Sequence, residues 1–479
     1  MPDFFRTDSA ARVRPGHVLL IMSMINWLAA FLTTGLNIAL PVIKDEFHLG
    51  PVALGWVPLC YILGMAVIMV PFGRIADMKG RRLVFVAGIW VLFVSVVAMI
   101  FVRSYAPLIV FRSLSGLGSG MCFASATAIV ALAYPKERRG FAMGIMAMMA
   151  YLGQASGPVL GGVIVGAVGW RYIFVVAAVY ALVNAALDLW LLRRAEWKDG
   201  GGGPFDWQGS VVYAVALMAF LLGLSWMPTI QGLVLTVVGI VTFVAFGWWE
   251  SHSRTPVFSV SLFRHNRLFL LSNLTSVISY ASLWAMTYLM SLYLQLVKGL
   301  SPEIAGLVLV SGVVLQTIVA PFGGRLSDRI QPRWVVSAAM GLCAVSLVVL
   351  AFLKADSSYW MIFVGLCVLG IGYGVFSGPN QSAIMGSVGR QDVGPAGAMV
   401  GTMRVVGQAL SVALVTLVLA VTVGRHELTI ADNPQFLTGL RIAFIIMAAL
   451  SAVSVVTSLS RGDVKRPQKP SGPTPVAET

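Results

Sequence analysis

Apolar residues run in long unbroken stretches along this chain rather than alternating with polar ones. Fourteen stretches, at 17–41, 52–72, 83–102, 106–131, 141–168, 171–192, 208–227, 232–249, 268–293, 303–323, 334–353, 359–386, 396–423 and 438–460, approach or exceed the length needed to cross a bilayer as helix. A membrane barrel would instead show short alternating segments. The pattern predicts an all-α polytopic membrane protein of fourteen transmembrane helices. Polar residues are left to short links and tails, with no room for a soluble domain.

Composition follows the same division: 58% of residues are hydrophobic and 11% charged, against roughly 25% charged in ordinary soluble domains. The formal net charge of +14 would suggest nucleic acid in a soluble protein; its distribution gives it another meaning. With the N-terminus placed inside, inner links and tails hold 24 of the 33 Lys and Arg residues, outer links hold 7, and two lie within spans. This is the positive-inside pattern. It places both termini in the cytoplasm, adds contact with anionic membrane lipid, and gives no reason to expect a nucleic-acid partner. Cys60, Cys122, Cys343 and Cys367 all fall within spans at no metal-binding spacing, so no metal and no cofactor is expected. The first apolar run is too long for a signal peptide and is kept as helix one.

One link is unusually charged. "PFGRIADMKGRRLVF" (71–85) surrounds Asp77 with Arg74, Lys79, Arg81 and Arg82, and "PFGGRLSDRIQPRWVV" (321–336) repeats Gly-Arg-x-x-Asp as Gly324, Arg325 and Asp328. The first copy follows run two and the second follows run ten. Two six-helix bundles around an inserted pair, 6+2+6, satisfy this spacing. The division reads as an N-terminal tail (1–16), a six-helix bundle (17–192), linkers with two inserted helices (193–267), a second six-helix bundle (268–460) and a C-terminal tail (461–479). Duplicated helical halves are a mark of secondary transporters, whose site lies between the halves near the midplane.

Charges inside spans are costly and are therefore candidate functional groups. Asp188 is the one carboxylate read within a span. It is either a coupling acid or, so close to Arg193, an acid reaching the interface. Arg112 can hold an anionic group, tune a carboxylate, or snorkel to the surface. Arg404 shares a helical face with Gln408 and Ser411. Further polar faces are Asn26, Thr33 and Asn37; Asn273, Tyr280, Trp284 and Tyr288; and Tyr373, Ser377, Asn380 and Gln381. Such faces line a cavity for amphipathic ligands, where the aromatics also suit organic cations, or they pack helix on helix.

In these residues the chain resembles the major facilitator superfamily, and in its fourteen spans the drug:proton antiporter branch. "GRIADMKGRR" matches the helix 2–3 signature, "RSLSGLGSG" (112–120) the helix-four arginine motif, and "GQASGPVLGG" (153–162) the antiporter motif of helix five; "WRYIF" (170–174) and "LFRHNRLF" (262–269) are also typical. The resemblance implies a cytoplasmic gating latch made of Gly73, Arg74, Asp77, Gly80, Arg81, Arg82, Gly324, Arg325 and Asp328. It implies a helix five whose Gly153, Gly157, Gly161 and Gly162 allow close packing while Pro158 allows bending. It implies export of small organic substrates by alternating access, with the proton as coupling ion. One departure matters: in "FLTTGLNIALP", Leu32 stands where relatives carry an aspartate, five residues before Asn37. The alternative is therefore a metabolite or organic-anion carrier with different coupling. No Gly-x-x-x-x-Gly-Lys-Ser/Thr loop supports ATP drive, no catalytic cluster supports an enzyme, and no filter motif supports a channel.

Overall fold

The computed structural model describes residues 13–134, 139–193, 195–197, 206–227, 229–252, 263–264, 266–388, 393–424 and 433–462. Fourteen helices are long and apolar enough to cross a membrane, and the described residues contain no strand. They are α1 (Pro15–Phe47), α2 (Pro51–Lys79), α3 (Arg81–Ile100), α4 (Tyr105–Ala133), α5 (Arg139–Ala167), α6 (Arg171–Leu191), α7 (Trp207–Trp226), α8 (Ile230–His252), α9 (Arg267–Val297), α10 (Pro302–Arg329), α11 (Pro332–Ala351), α12 (Tyr359–Gly386), α13 (Val393–Thr422) and α14 (Asn433–Ser460).

Local chemistry sets the helix starts. Proline opens α1, α2, α10 and α11, where its missing N–H costs nothing. Side-chain oxygens of Asp206, Asn266 and Ser358 accept first-turn N–H groups of α7, α9 and α12 at 2.7, 3.0 and 3.3 Å. The turn from α2 to α3 is a single residue, Gly80, at φ +128°, a conformation that side chains resist.

Two helices outrun their apolar stretches. α1 passes Pro41 and continues to Phe47, because its terminal charges find partners. Lys44 pairs with Asp45 at 2.7 Å, and Glu46 accepts from Trp170 Nε1 at 2.7 Å and from Arg171 Nη1 at 3.0 Å. α2 likewise continues through Gly73, Arg74 and Asp77 to Lys79, so the charged motif lies on a helix end rather than in an open link. α9 is broken at Trp284–Ala285 and finishes as a π-turn, Tyr293–Val297.

Helix neighbours follow a repeat. α1 packs on α4, α5 and α6, α2 on α4, and α3 on α4 and α6; eight helices later, α9 packs on α12, α13 and α14, α10 on α12, and α11 on α12 and α14. Contacts between these two sets run through α5 with α10, α2 with α13, and α1 with the Met286–Leu292 segment of α9. α8 packs on α7, and α7 also reaches α2 and α13. Phe243 and Phe246 of α8, Met403 of α13, and Phe263, which precedes α9, line an apolar cavity of about 330 Å³ there. Along α8, Val237, Val241 and Val244 are exposed, a face that suits lipid rather than water.

Candidate substrate cavity and gating sites

At mid-depth an aromatic and cationic cluster joins the two helix sets. Tyr280 of α9 meets Tyr373 and Phe376 of α12 edge-on, with ring centroids 5.9 and 5.8 Å apart. Arg404 of α13 and Tyr373 both act on the Tyr280 side chain. From the other set, Phe123 of α4 lies under the Arg404 guanidinium at 5.1 Å, and Tyr151 of α5 shares a 2.6 Å hydrogen bond with Ser377 of α12. Tyr280, Tyr373, Arg404, Phe123 and Tyr151 are all half-buried. Among the described residues no carboxylate pairs with Arg404. A half-buried cation framed by ring faces presents both charge and apolar area to a ligand.

Other polar positions disperse. Toward the α1–α2 end, Ser291 donates to the Asn37 carbonyl at 2.8 Å and Gln295 to that of Ile38 at 3.1 Å, drawing α9 onto α1. Tyr288 is buried, with its hydroxyl unpartnered, and Trp284 is half-buried. Thr33 donates to the Ala29 carbonyl, and the side-chain oxygens of Asn26 and Asn37 are buried without partners. Gln408 is buried and Gln381 is exposed. Toward the α2–α3 end, Asn273 donates to the Phe269 carbonyl, while Asn380 donates to the Ser272 carbonyl and accepts from Arg461 Nη1 at 2.7 Å.

Arg112 of α4 is 1% exposed, the largest fully buried side chain among the described residues. Nη2 donates to the Leu32 carbonyl at 2.7 Å, and the guanidinium lies 4.3 Å over the Tyr61 ring. It therefore touches α1 at the residue where the family resemblance would lead one to expect an acid.

At the α2–α3 end, the charged motif folds back on its own helix set. Asp77 Oδ1 receives Arg81 Nε at 2.9 Å. Arg82 reaches α6, where Nη2 meets Asp188 Oδ2 at 2.6 Å and Nη1 donates to the Arg193 carbonyl at 3.4 Å. The Arg82 backbone N–H donates to Glu196, and that of Arg81 to the Trp197 carbonyl. Asp188 is thus the buried partner of Arg82. A Cβ on Gly80 would strike the Glu196 carboxylate at 2.8 Å. Gly324 and Arg325 lie on the last turns of α10, as does the backbone of Asp328; the Asp328 side chain lies outside the described residues.

The glycines of α5 are contact points on two helices. A Cβ at Gly157 would fall 2.0 Å from Thr34 Oγ1, one at Gly153 2.3 Å from the Trp27 carbonyl, and one at Gly161 2.8 Å from the Gly35 carbonyl, all on α1. A Cβ at Gly162 would fall 2.7 Å from the Pro302 carbonyl of α10, and the Pro158 carbonyl would crowd a Cβ on Gly306 at 2.2 Å. Pro158 lies inside the helix.

Sequence reading missed Phe123, Tyr151 and Phe376, which carry no charge and fall on no polar stripe. It also missed Arg461, counted with the tail but 3% exposed at the foot of α14. Burial pulls its pKa down to about 10, which leaves it charged at neutral pH.

The sequence pattern of the Major Facilitator Superfamily matches residues 22–263 and 272–478. Relatives include the riboflavin transporter RibZ of Clostridioides difficile, 28% identical, covering 83% of this chain and 86% of that protein. The multidrug resistance protein Stp of Mycobacterium tuberculosis is 30% identical, with 80% and 72% covered. The tetracenomycin C resistance and export protein of Streptomyces glaucescens is 26% identical, with 87% and 78% covered. In fold the chain is similar to a bacterial homologue of the human lysosomal transporter Spinster, solved inward-facing and unoccupied, with TM-score 0.65, 15% identity, and 93% and 96% of the two chains covered. Fourteen apolar helices, a pattern match across nearly the whole chain and transporter relatives of comparable length together make this chain a member of the Major Facilitator Superfamily: an integral membrane transporter, not an enzyme.

Proposed function

We propose that the chain is a secondary exporter of small amphipathic organic compounds, alternating access between α1–α6 and α9–α14 around the inserted pair α7–α8. The observation that carries this reading is the cluster of Tyr280, Tyr373, Phe376 and Arg404 against Phe123 and Tyr151, at the place where the two helix sets meet. Both termini are assigned to the cytoplasm from the distribution of Lys and Arg. The α1–α2 end is then external, and the Ser291 and Gln295 bonds to α1 close it. Alternation consists of breaking those two bonds and closing the α2–α3 end, with the α5 glycines and Pro158 as the close-packed surface on which α1 and α10 move. The names of two relatives, a multidrug resistance protein and an antibiotic export protein, support the export reading.

A second reading, an organic-anion or metabolite carrier, is favoured by Arg404, which pairs with no carboxylate among the described residues. A ligand with an acidic group gains a charge-assisted hydrogen bond there, whereas an organic cation meets like charge. The riboflavin transporter among the relatives is compatible with it. Flux into proteoliposomes under imposed pH, sodium and voltage gradients, with cationic, neutral and anionic aromatic substrates, decides between the readings. Saturable flux of cations that survives Arg404→Gln supports multidrug export. Flux of anions alone, lost in that variant, supports the second reading. Absence of any saturable flux rejects both.

A further inference from the structure

Arg112 is charged at every accessible pH and has donors only. Its Nε and Nη1 are buried without partners, and Nη2 alone is bonded, to the Leu32 carbonyl. The ionisable groups acting on it are Tyr61 and Cys60, with no carboxylate among them. Neither neighbour carries a charge that would cancel that of Arg112, because both keep their protons and donate them elsewhere. Tyr61 engages Ser119 Oγ at 2.8 Å, and the Cys60 thiol points to the Val57 carbonyl. Asp188, the one carboxylate read within a span, is committed to Arg82. A buried guanidinium without counter-charge is strongly disfavoured, and a π-face and one carbonyl offset only part of that cost.

We propose that Arg112 is the receptor for one monovalent anion, a carboxylate or a halide, held between α1, α2 and α4 beside the Leu32 carbonyl. The anion supplies the negative charge that α1 does not carry. Two sources share this chemistry: an acidic group on the transported compound, or a free inorganic anion that travels with or against it. The binding site stands without the carrier reading, and only its part in coupling rests on that reading.

The test uses the full-length protein in uncharged phosphatidylcholine nanodiscs. Chloride, bromide and benzoate are titrated at fixed ionic strength, with isethionate as balancing salt, and thermal stability is read. A saturable rise in melting temperature is expected for the wild type, with apparent affinity weakened at least about tenfold in Arg112→Gln through loss of a charge-assisted contact. Leu32→Asp is expected to fold without added anion and to lose the saturable response, because its carboxylate occupies the guanidinium. If Arg112→Gln does not fold, Leu32→Asp decides alone. Saturation by benzoate only assigns the site to a substrate acid, and saturation by halides assigns it to an inorganic ion. The same response in wild type and Leu32→Asp, or no saturable response in the wild type, overturns the proposal. Binding retained with no anion-dependent flux in liposomes would sink the coupling role and leave the site standing.

Discussion

Asp188→Asn is the most informative single substitution, because the structure gives that acid a partner and the sequence does not. Its carboxylate is fully buried, 2.6 Å from an Arg82 guanidinium that is 15% exposed. Asparagine keeps the shape and one acceptor but leaves the Arg82 charge uncompensated. Removing one member of a buried pair costs about 3–5 kcal/mol. The retained acceptor, and the Arg82 bond to the Arg193 carbonyl, place this case at the low end, about 3 kcal/mol. Neutralising both members removes the stranded charge as well as the attraction, so Arg82→Gln with Asp188→Asn should be milder than the sum of the single changes, with a coupling energy of about 1–3 kcal/mol.

The assay is apparent melting temperature of purified protein in one detergent for wild type, both single variants and the double variant, with gradient-driven flux measured in parallel. The expected order is wild type highest, the double variant between, and Asp188→Asn lowest. Flux is expected to be reduced but present in Asp188→Asn, since the acid holds a helix end rather than carrying the coupling proton. Additive melting shifts would refute the pairing argument. A variant that melts as wild type does yet shows no gradient-driven flux would make Asp188 the coupling acid.

Gly157→Ala places a methyl group 2.0 Å from Thr34 Oγ1 and 2.8 Å from the Gly35 N; forced separation of α1 and α5 should cost about 1–3 kcal/mol and slow flux, whereas Gly73→Ala, with nothing within 4 Å, should melt at or above wild type. Asp77→Asn weakens an i,i+4 pair whose Arg81 side chain is buried and whose Asp77 is half-buried, so it should cost somewhat more than the about 0.3–0.5 kcal/mol of an exposed helix pair and lower melting modestly; a strong fall in flux with ligand binding unchanged would support the latch reading, and normal flux would reject it. In a background lacking the four native cysteines, Tyr280→Cys should react with a water-soluble thiol reagent and be protected by substrate, while Tyr288→Cys should stay inert because its site is buried; the reverse pattern would move the cavity to the α1–α2 end.

The fold was legible because crossing a membrane imposes a length of apolar helix that no other constraint imitates. Helix ends were less legible. The Lys44–Glu46 and Arg74–Lys79 charges read as links, yet α1 and α2 run through them because their partners lie on other elements, as with Glu46 and Trp170. Asp188 and Arg82 are 106 residues apart, and no local pattern could pair them. Tyr280, Tyr373 and Arg404 stood out in the sequence because polar side chains at helical spacing are rare in apolar runs; Phe123 and Phe376 did not, because an aromatic in such a run looks like any other. Arg461 escaped because charge near a terminus reads as tail, and only packing against Ser272 and Asn380 marks it as interior.

Taken by sign, the buried charges are lopsided. Among the described residues, Arg112 carries two unpartnered nitrogens, Arg461 two more, and the half-buried Arg404 pairs with no acid. On the acidic side, buried Asp188 faces Arg82, Glu250 of α8 is also buried, and the part-exposed Glu46 faces Arg171 and Trp170. Because fields are weakly screened in a low-dielectric interior, each of these cations raises the potential around it. An organic cation moving between the helix sets would work against that potential, while an acid or an electron-rich aromatic would be drawn along it. If cations are nevertheless exported, an anion bound at Arg112 would offset part of that repulsion. Under either substrate reading the proposal is the same: negative charge enters from outside the chain, and Arg112 is the most deeply buried of these three cations for it to bind.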